Sequence, residues 1–173
     1  MKKTIVIYKT ISGFTKKYAE MIGEELGAKV ISLNKVNKEI LADYEVIIYG
    51  GSLHAVGVVG FKTLKGMIKN MPDKKLVLFA VGASPQKEGI IEEIKKHNCV
   101  DYQPNKVFYL RGGFDFSKLN LVNKIVMFFF INLLKLKSKK SADAKGMIAA
   151  YKNPVDFTSR ENISDLVNYV KSL

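Results

Sequence analysis

Six consecutive residues, Thr10-Ile11-Ser12-Gly13-Phe14-Thr15, carry the strongest chemical signal in this chain. Three hydroxyls stand around one glycine. The run follows a short β-branched stretch, Thr4 to Tyr8, which reads as a buried strand. After it the period changes: Phe14, Tyr18, Ile22 and Leu26 recur every four residues, the apolar face of a helix that Gly27 is placed to end. A strand-to-helix turn of this kind presents backbone N–H groups that have no partner inside the helix. With hydroxyls beside them and a glycine that lets a ligand come close, the turn is an anion site. Phosphate is the anion that best uses both kinds of donor. The plainer alternative is a helix simply capped by Ser12. The run is not a Walker loop, because no Gly-Lys-Ser/Thr follows, and the dinucleotide fingerprint Gly-x-Gly-x-x-Gly is missing.

Apolar runs elsewhere supply the elements that would hold this turn. Lys29–Leu33 reads as a second strand, Glu45–Tyr49 as a third, Leu76–Val81 as a fourth and Val107–Leu110 as a fifth. Asn34–Asp43 reads as a polar linker or one weak helix. Phe61, Leu64, Ile68 and Met71 mark a helix stopped by Pro72, and Ile90, Ile91 and Ile94 mark another. A capping box at Thr158 and Glu161 precedes the last apolar stripe, Ile163, Leu166, Val167 and Val170. Strands alternating with helices call for a parallel sheet covered on both faces. Five such strands fit a doubly wound α/β fold of order 2-1-3-4-5, whose ligand lies beyond the carboxyl ends of strands one and three. Small-residue loops at Gly50–Gly57 and Gly82–Gln86 follow strands three and four. In that order they emerge at the same edge as the phosphate turn.

With 173 residues, 47% of them hydrophobic and 25% charged, the chain fits one soluble domain. The apolar run behind Lys2 and Lys3 is too short for a signal peptide, so a cytoplasmic location is expected. Cys99 is the single cysteine, which excludes an internal disulfide and a cysteine-cluster metal site. It lies at the far end of its helix and reads as structural. His54 and His97 do not make a metal site by themselves. The net charge is +12. Between Arg111 and Lys152 nine basic residues face two acidic ones, a net +7 in that segment alone. Such an excess suits an acidic partner, or is a lysine-rich solvated surface.

The first turn resembles the flavodoxin phosphate loop. The matching residues are Val6, Ile7, Tyr8, Thr10, Gly13, Thr15, Ala19 and Ile22. The resemblance implies a flavodoxin-like fold and FMN, with its phosphate held at Thr10, Ile11, Ser12, Gly13, Phe14 and Thr15. It further implies that the other two loops clasp the ring, which adds Ser52, Leu53, His54, Ala55, Gly82, Ala83 and Ser84. Backbone N–H groups of Ser52, Leu53 and Ala83 are candidates for the ring's polar edge. His54 is a candidate ring or substrate contact, or an exposed loop histidine. In this family those loops often bring a Trp and a Tyr; here there is no Trp, and the Gly82–Gln86 loop has no aromatic. The ring is therefore expected to be more exposed or differently packed.

A long insertion, about 112–154, separates strand five from the last helix. Its centre, Leu119–Leu136, includes seven consecutive apolar residues, Ile125–Ile131. Spanning a membrane takes about 20 largely uncharged residues, and this stretch holds Asn120, Asn123, Lys124, Asn132 and Lys135, so it is not expected to span. On a helical wheel those five gather on one side with Phe128, and Val122, Val126, Phe129, Phe130 and Leu133 cover the other. Lysines follow at 135–140. That profile suits a helix at a membrane surface or an apolar partner, and equally one packed on its own core or in a homodimer interface. From Gly112 through Phe114, Asp115 and Leu119 to Lys124 the chain resembles the start of the insertion in quinone-coupled protoporphyrinogen dehydrogenases. That subgroup implies a porphyrinogen substrate, a membrane quinone as acceptor, and peripheral association with the inner face of the membrane. The other reading is an electron-carrying flavodoxin without a small-molecule substrate, although those proteins are typically acidic. No nucleic-acid partner is expected.

Overall fold

A computed structural model of the chain describes residues 2–54, 56–119, 121–136 and 142–173. Five parallel strands form the main sheet in the spatial order β2-β1-β3-β5-β6. They are β1 (Thr4–Lys9), β2 (Lys29–Ser32), β3 (Val46–His54), β5 (Lys75–Gly82) and β6 (Lys106–Arg111). Two-residue strand β4 (Gly57–Val58) turns back on the end of β3. In chain order this is the doubly wound 2-1-3-4-5 arrangement.

Alternation along the strands sends side chains to two separate layers. Ile5, Ile7, Ile47, Tyr49, Leu76, Leu78, Val107 and Tyr109 face one side. There they meet Leu41 of α2 (Lys38–Ala42), Phe61, Leu64 and Ile68 of α3 (Phe61–Ile68), and Ile94 of α4 (Ile90–Asn98). Cys99 is fully buried in this layer, the structural place the sequence suggests, and burial pushes its thiol pKa up. Val6, Ile48, Val77, Phe79, Val81 and Leu110 face the other side. They pack on Phe14, Tyr18, Ile22 and Leu26 of α1 (Phe14–Leu26) and on Leu166, Val167 and Val170 of α7 (Ser164–Lys171). Gly27 ends α1 in the left-handed region at φ +58°, as its position predicts.

The structure departs from the sequence reading in three places. β3 does not stop at Tyr49; it runs through Gly50 and Gly51 to His54, where a loop is expected. These glycines make room rather than a turn. A Cβ on Gly50 would lie 2.0 Å from the Phe79 ring, and one on Gly51 would lie 2.4 Å from Val58. The polar linker or one weak helix expected at 34–43 is a 3-10 turn at Leu33–Lys35 followed by α2, whose first turn is capped by Asn37 through a 2.9 Å bond from the Ile40 N–H. The Thr158–Glu161 capping box does not form. The Thr158 hydroxyl donates to Asp156 instead, at 2.7 Å, and α7 starts only at Ser164, after a 3-10 turn at Glu161–Ile163. Asp156 also accepts from the Thr158 N–H at 2.9 Å, the donor that the Glu161 side chain takes in a capping box.

The insertion stands on a short ribbon. β7 (Gly113–Phe114) pairs antiparallel with β8 (Val155–Asp156), so the segment leaves and rejoins the domain at one point. Between them lie α5 (Leu121–Leu136) and α6 (Ala142–Lys152). Ile131 and Leu134 of α5 pack on Ala144, Met147, Ile148 and Tyr151 of α6. The stripe Val122, Val126, Phe129 and Leu133 is more than half exposed, and Phe130 is 41% exposed. The apolar face of α5 is therefore not part of the domain's own core. No helix among the described residues is long and apolar enough to cross a membrane.

Candidate functional site

At the carboxyl edge of β1, β3 and β5 a cleft of about 160 Å³ opens where the doubly wound order predicts a ligand. Its floor is the turn into α1. Gly13 sits at the start of that helix in the left-handed region, φ +93°, and no side chain caps the helix. The capping role that Ser12 offers is not taken up. The first intrahelical bond runs from the Lys17 N–H to the Gly13 carbonyl, so the N–H groups of Phe14, Thr15 and Lys16 have no helical acceptor. No acidic residue lies in the first turn. The helix dipole adds positive potential at the same point.

Hydroxyls pin the turn to the neighbouring strand. The Gly13 N–H donates to Thr10 Oγ1 at 2.9 Å. The Ile11 N–H donates to Ser52 Oγ at 3.1 Å, and Ser52 Oγ lies 2.9 Å from Thr15 Oγ1. Thr15 is fully buried and Ser52 nearly so. The end of β3 and the phosphate turn are thus one hydrogen-bonded unit, and the extension of β3 past its glycines is what brings Ser52 there.

Two cations stand over Phe14, one of the residues that line the cleft. Lys17 and Lys118 each hold their ammonium nitrogen over the Phe14 ring, at 5.9 Å and 5.8 Å from its centroid. Both also have carboxylate partners. Lys17 pairs with Asp156, and Lys118 lies 3.2 Å from Asp115. The Ser117 hydroxyl and N–H, then Lys118, hold the Asp115 carboxyl below the usual carboxylate range. Phe14 is also the seat of the insertion's stem. A Cβ on Gly113 would lie 2.7 Å from its ring, and one on Gly112 would lie 3.1 Å from Phe14 Cβ, so two glycines are needed for β7 to pass this close.

Of the residues singled out from the sequence, Ile11, Ser12, Phe14, Thr15, Ser52, Leu53, His54, Gly82 and Ala83 line the cleft together. Thr10 and Gly13 shape the turn without lining it. Ser84 lies off the cleft, where its carbonyl accepts a 2.6 Å hydrogen bond from the Tyr109 hydroxyl. Ala55 lies outside the described residues. The sequence reading missed Val81, Gly113 and Phe114, and also Leu119, Asn123, Val126 and Met127 at the start of the insertion. Their signal is topological: a segment leaving β6 at its carboxyl end starts at the ligand edge.

A profile of the flavodoxin domain family matches residues 5–141. The chain belongs to this family. Solved structures agree with the fold. A candidate flavoprotein from Bacteroides eggerthii superposes with a TM-score of 0.50 at 15% identity, covering 79% of this chain and all of that one. A flavoprotein from Lactobacillus acidophilus, solved in complex with FMN, reaches 0.48 at 18% identity, over 63% of this chain and 93% of its own. A flavodoxin from the domain Archaea reaches 0.46 at 22% identity, over 63% and 84%. With the first of these, at 15% identity, what is shared is the fold. No curated protein matches the chain.

Proposed function

We propose that this flavodoxin-family chain binds FMN, with the phosphate at Thr10–Thr15, and works as an oxidoreductase of the quinone-coupled protoporphyrinogen dehydrogenase type. The observation that carries the cofactor reading is the uncapped first turn of α1. Three backbone N–H groups without helical acceptors, a left-handed glycine, and no acidic residue suit a phosphate. FMN, when bound, supplies the two-electron redox chemistry, so the chain needs no catalytic side chain of its own. Leu53, Val81, Phe114 and Met127 form apolar walls that would keep water from the ring; none of them is Trp, and one aromatic, Phe114, comes from the insertion rather than from the loops after β3 and β5.

Two features support the finer reading. Basic charge concentrated in the insertion, with Lys118 beside the cleft, suits a substrate that carries carboxylates. The exposed face of α5 suits an anionic lipid surface. Phe128, Phe129 and Phe130 are 51%, 63% and 41% exposed, and burying each side chain fully is worth roughly 1.5–3 kcal/mol. Lys124 and Lys135 lie on the same helix, and each lysine near such a surface adds about 1 kcal/mol. Lys137, Lys139 and Lys140 follow in the sequence but lie outside the described residues. The protein would then sit peripherally on the membrane that holds its quinone.

The test is turnover of protoporphyrinogen by the FMN-loaded protein with a menaquinone analogue, together with a variant in which residues 119–140 are replaced by a Gly/Ser linker. The proposal expects quinone-dependent oxidation by the full chain, and FMN binding without liposome binding in the variant. An FMN-loaded protein that oxidises no porphyrinogen yet passes electrons to a protein partner is an electron carrier, and the finer reading fails.

A further inference from the structure

The cleft has walls of two kinds. Ser12, Thr15 and Ser52 make the polar one. The apolar one includes the start of the insertion, with Leu119, Val126 and Met127 alongside Asn123 in the lining. Val126 is also 53% exposed. It therefore belongs both to the cleft and to the outward stripe of α5. From Val126 the stripe continues through Phe129, Phe130 and Leu133 to Leu136, all exposed. At 1.5 Å per helical residue this uncharged track is roughly 15 Å long. Met127 has a second role: it lines the cleft and packs into the small core between α5 and α6, which holds the track against the cleft mouth.

We infer that a lipophilic, uncharged electron acceptor reaches the cleft along this face of α5, entering past Val126. The inference rests on the proposed function and specifies which side of the site the acceptor uses. Carboxylate-bearing substrates gain nothing from a surface of valine, phenylalanine and leucine, since they would lose hydration without a cation in return. An uncharged quinone dissolved in lipid gains continuous apolar contact from the bilayer to the cleft. Two electrons and two protons taken from the reduced substrate leave on the quinone, which becomes the quinol.

The chain has no Trp, so a single introduced one reports alone. In FMN-loaded Val126→Trp, decyl-benzoquinone without lipid should quench the fluorescence saturably. Val100→Trp is the control, on an exposed residue just past the end of α4 and outside both the cleft lining and α5. It should show only weak, linear quenching. In Val126→Glu, kcat/KM for decyl-benzoquinone should fall at least tenfold further than kcat/KM for ferricyanide, a charged, water-soluble acceptor. Equal quenching at the two positions overturns the route, as does an unchanged ratio between acceptors in an enzyme that turns over both. Absence of turnover with either acceptor counts against the proposed function instead, and the fluorescence comparison then still decides the route.

Discussion

Ser52→Ala tests how the phosphate turn is held before any ligand arrives. Ser52 Oγ accepts from the Ile11 N–H at 3.1 Å and lies 2.9 Å from Thr15 Oγ1. Each bond is worth about 0.5–1.5 kcal/mol net, and the Thr15 hydroxyl, fully buried, would lose its partner at a cost of about 1–3 kcal/mol. The expected loss is about 2–3 kcal/mol. In a domain of this size that lowers Tm by about 5–10 °C. Thr15→Val keeps the shape and leaves the Ile11 bond in place, so it should cost about 1 kcal/mol. Both variants remove the same hydroxyl–hydroxyl bond. The double variant should therefore fall short of the summed losses by about 1 kcal/mol. Urea unfolding of the apoprotein, followed by circular dichroism, measures all three. Additivity within about 0.3 kcal/mol would mean that the two hydroxyls do not act as a pair, and the view of the turn and β3 as one unit would be wrong.

Two glycines make an opposed pair. A Cβ would meet nothing within 4 Å at either Gly13 or Gly66, but Gly13 sits at φ +93° and Gly66 lies inside α3. Gly13→Ala should cost about 1–2 kcal/mol from left-handed strain, and Gly66→Ala should gain about 0.5–1 kcal/mol; thermal unfolding gives both signs. The Asp115 carboxyl is held below its ordinary value of 3.8 in the fold, so its contribution is complete above that value and is lost as pH falls through the lower folded one. Acid titration of near-ultraviolet dichroism, to which Tyr151 against Phe116 at 4.5 Å contributes, should show the insertion's stem loosening in that window, and Asp115→Asn should remove the step.

The sheet, its order and the phosphate turn could be read from the residues because each is a local pattern. Val6 and Ile7 alternate between layers, and Gly13 stands where one period gives way to another. What could not be read depends on contacts distant in sequence. Gly50 and Gly51 look like a loop until Phe79 and Val58 are known to press against them. The β7–β8 stem is two residues long on each side, too short for any period to show. Thr158 and Glu161 have capping-box spacing, but Asp156 takes the Thr158 N–H that Glu161 would have accepted. The sequence divided α5 into a polar and an apolar side but did not say that the apolar side faces outward. Asn123, Val126 and Met127 reach the cleft only because the stem folds back over Phe14.

Phosphate recognition at the turn is tested most directly by titrating the apoprotein with FMN and with riboflavin, following flavin fluorescence, in the natural chain and in Ser12→Asp. Charge-assisted bonds contribute about 1.5–3 kcal/mol each, so two of them should make FMN bind about a hundredfold or more tighter than riboflavin. Ser12→Asp sets a carboxylate against the phosphate. It should erase that preference while leaving riboflavin affinity nearly as it was. Equal affinity of the natural chain for the two flavins, or unchanged FMN affinity in Ser12→Asp, would contradict the assignment of the phosphate to residues 10–15.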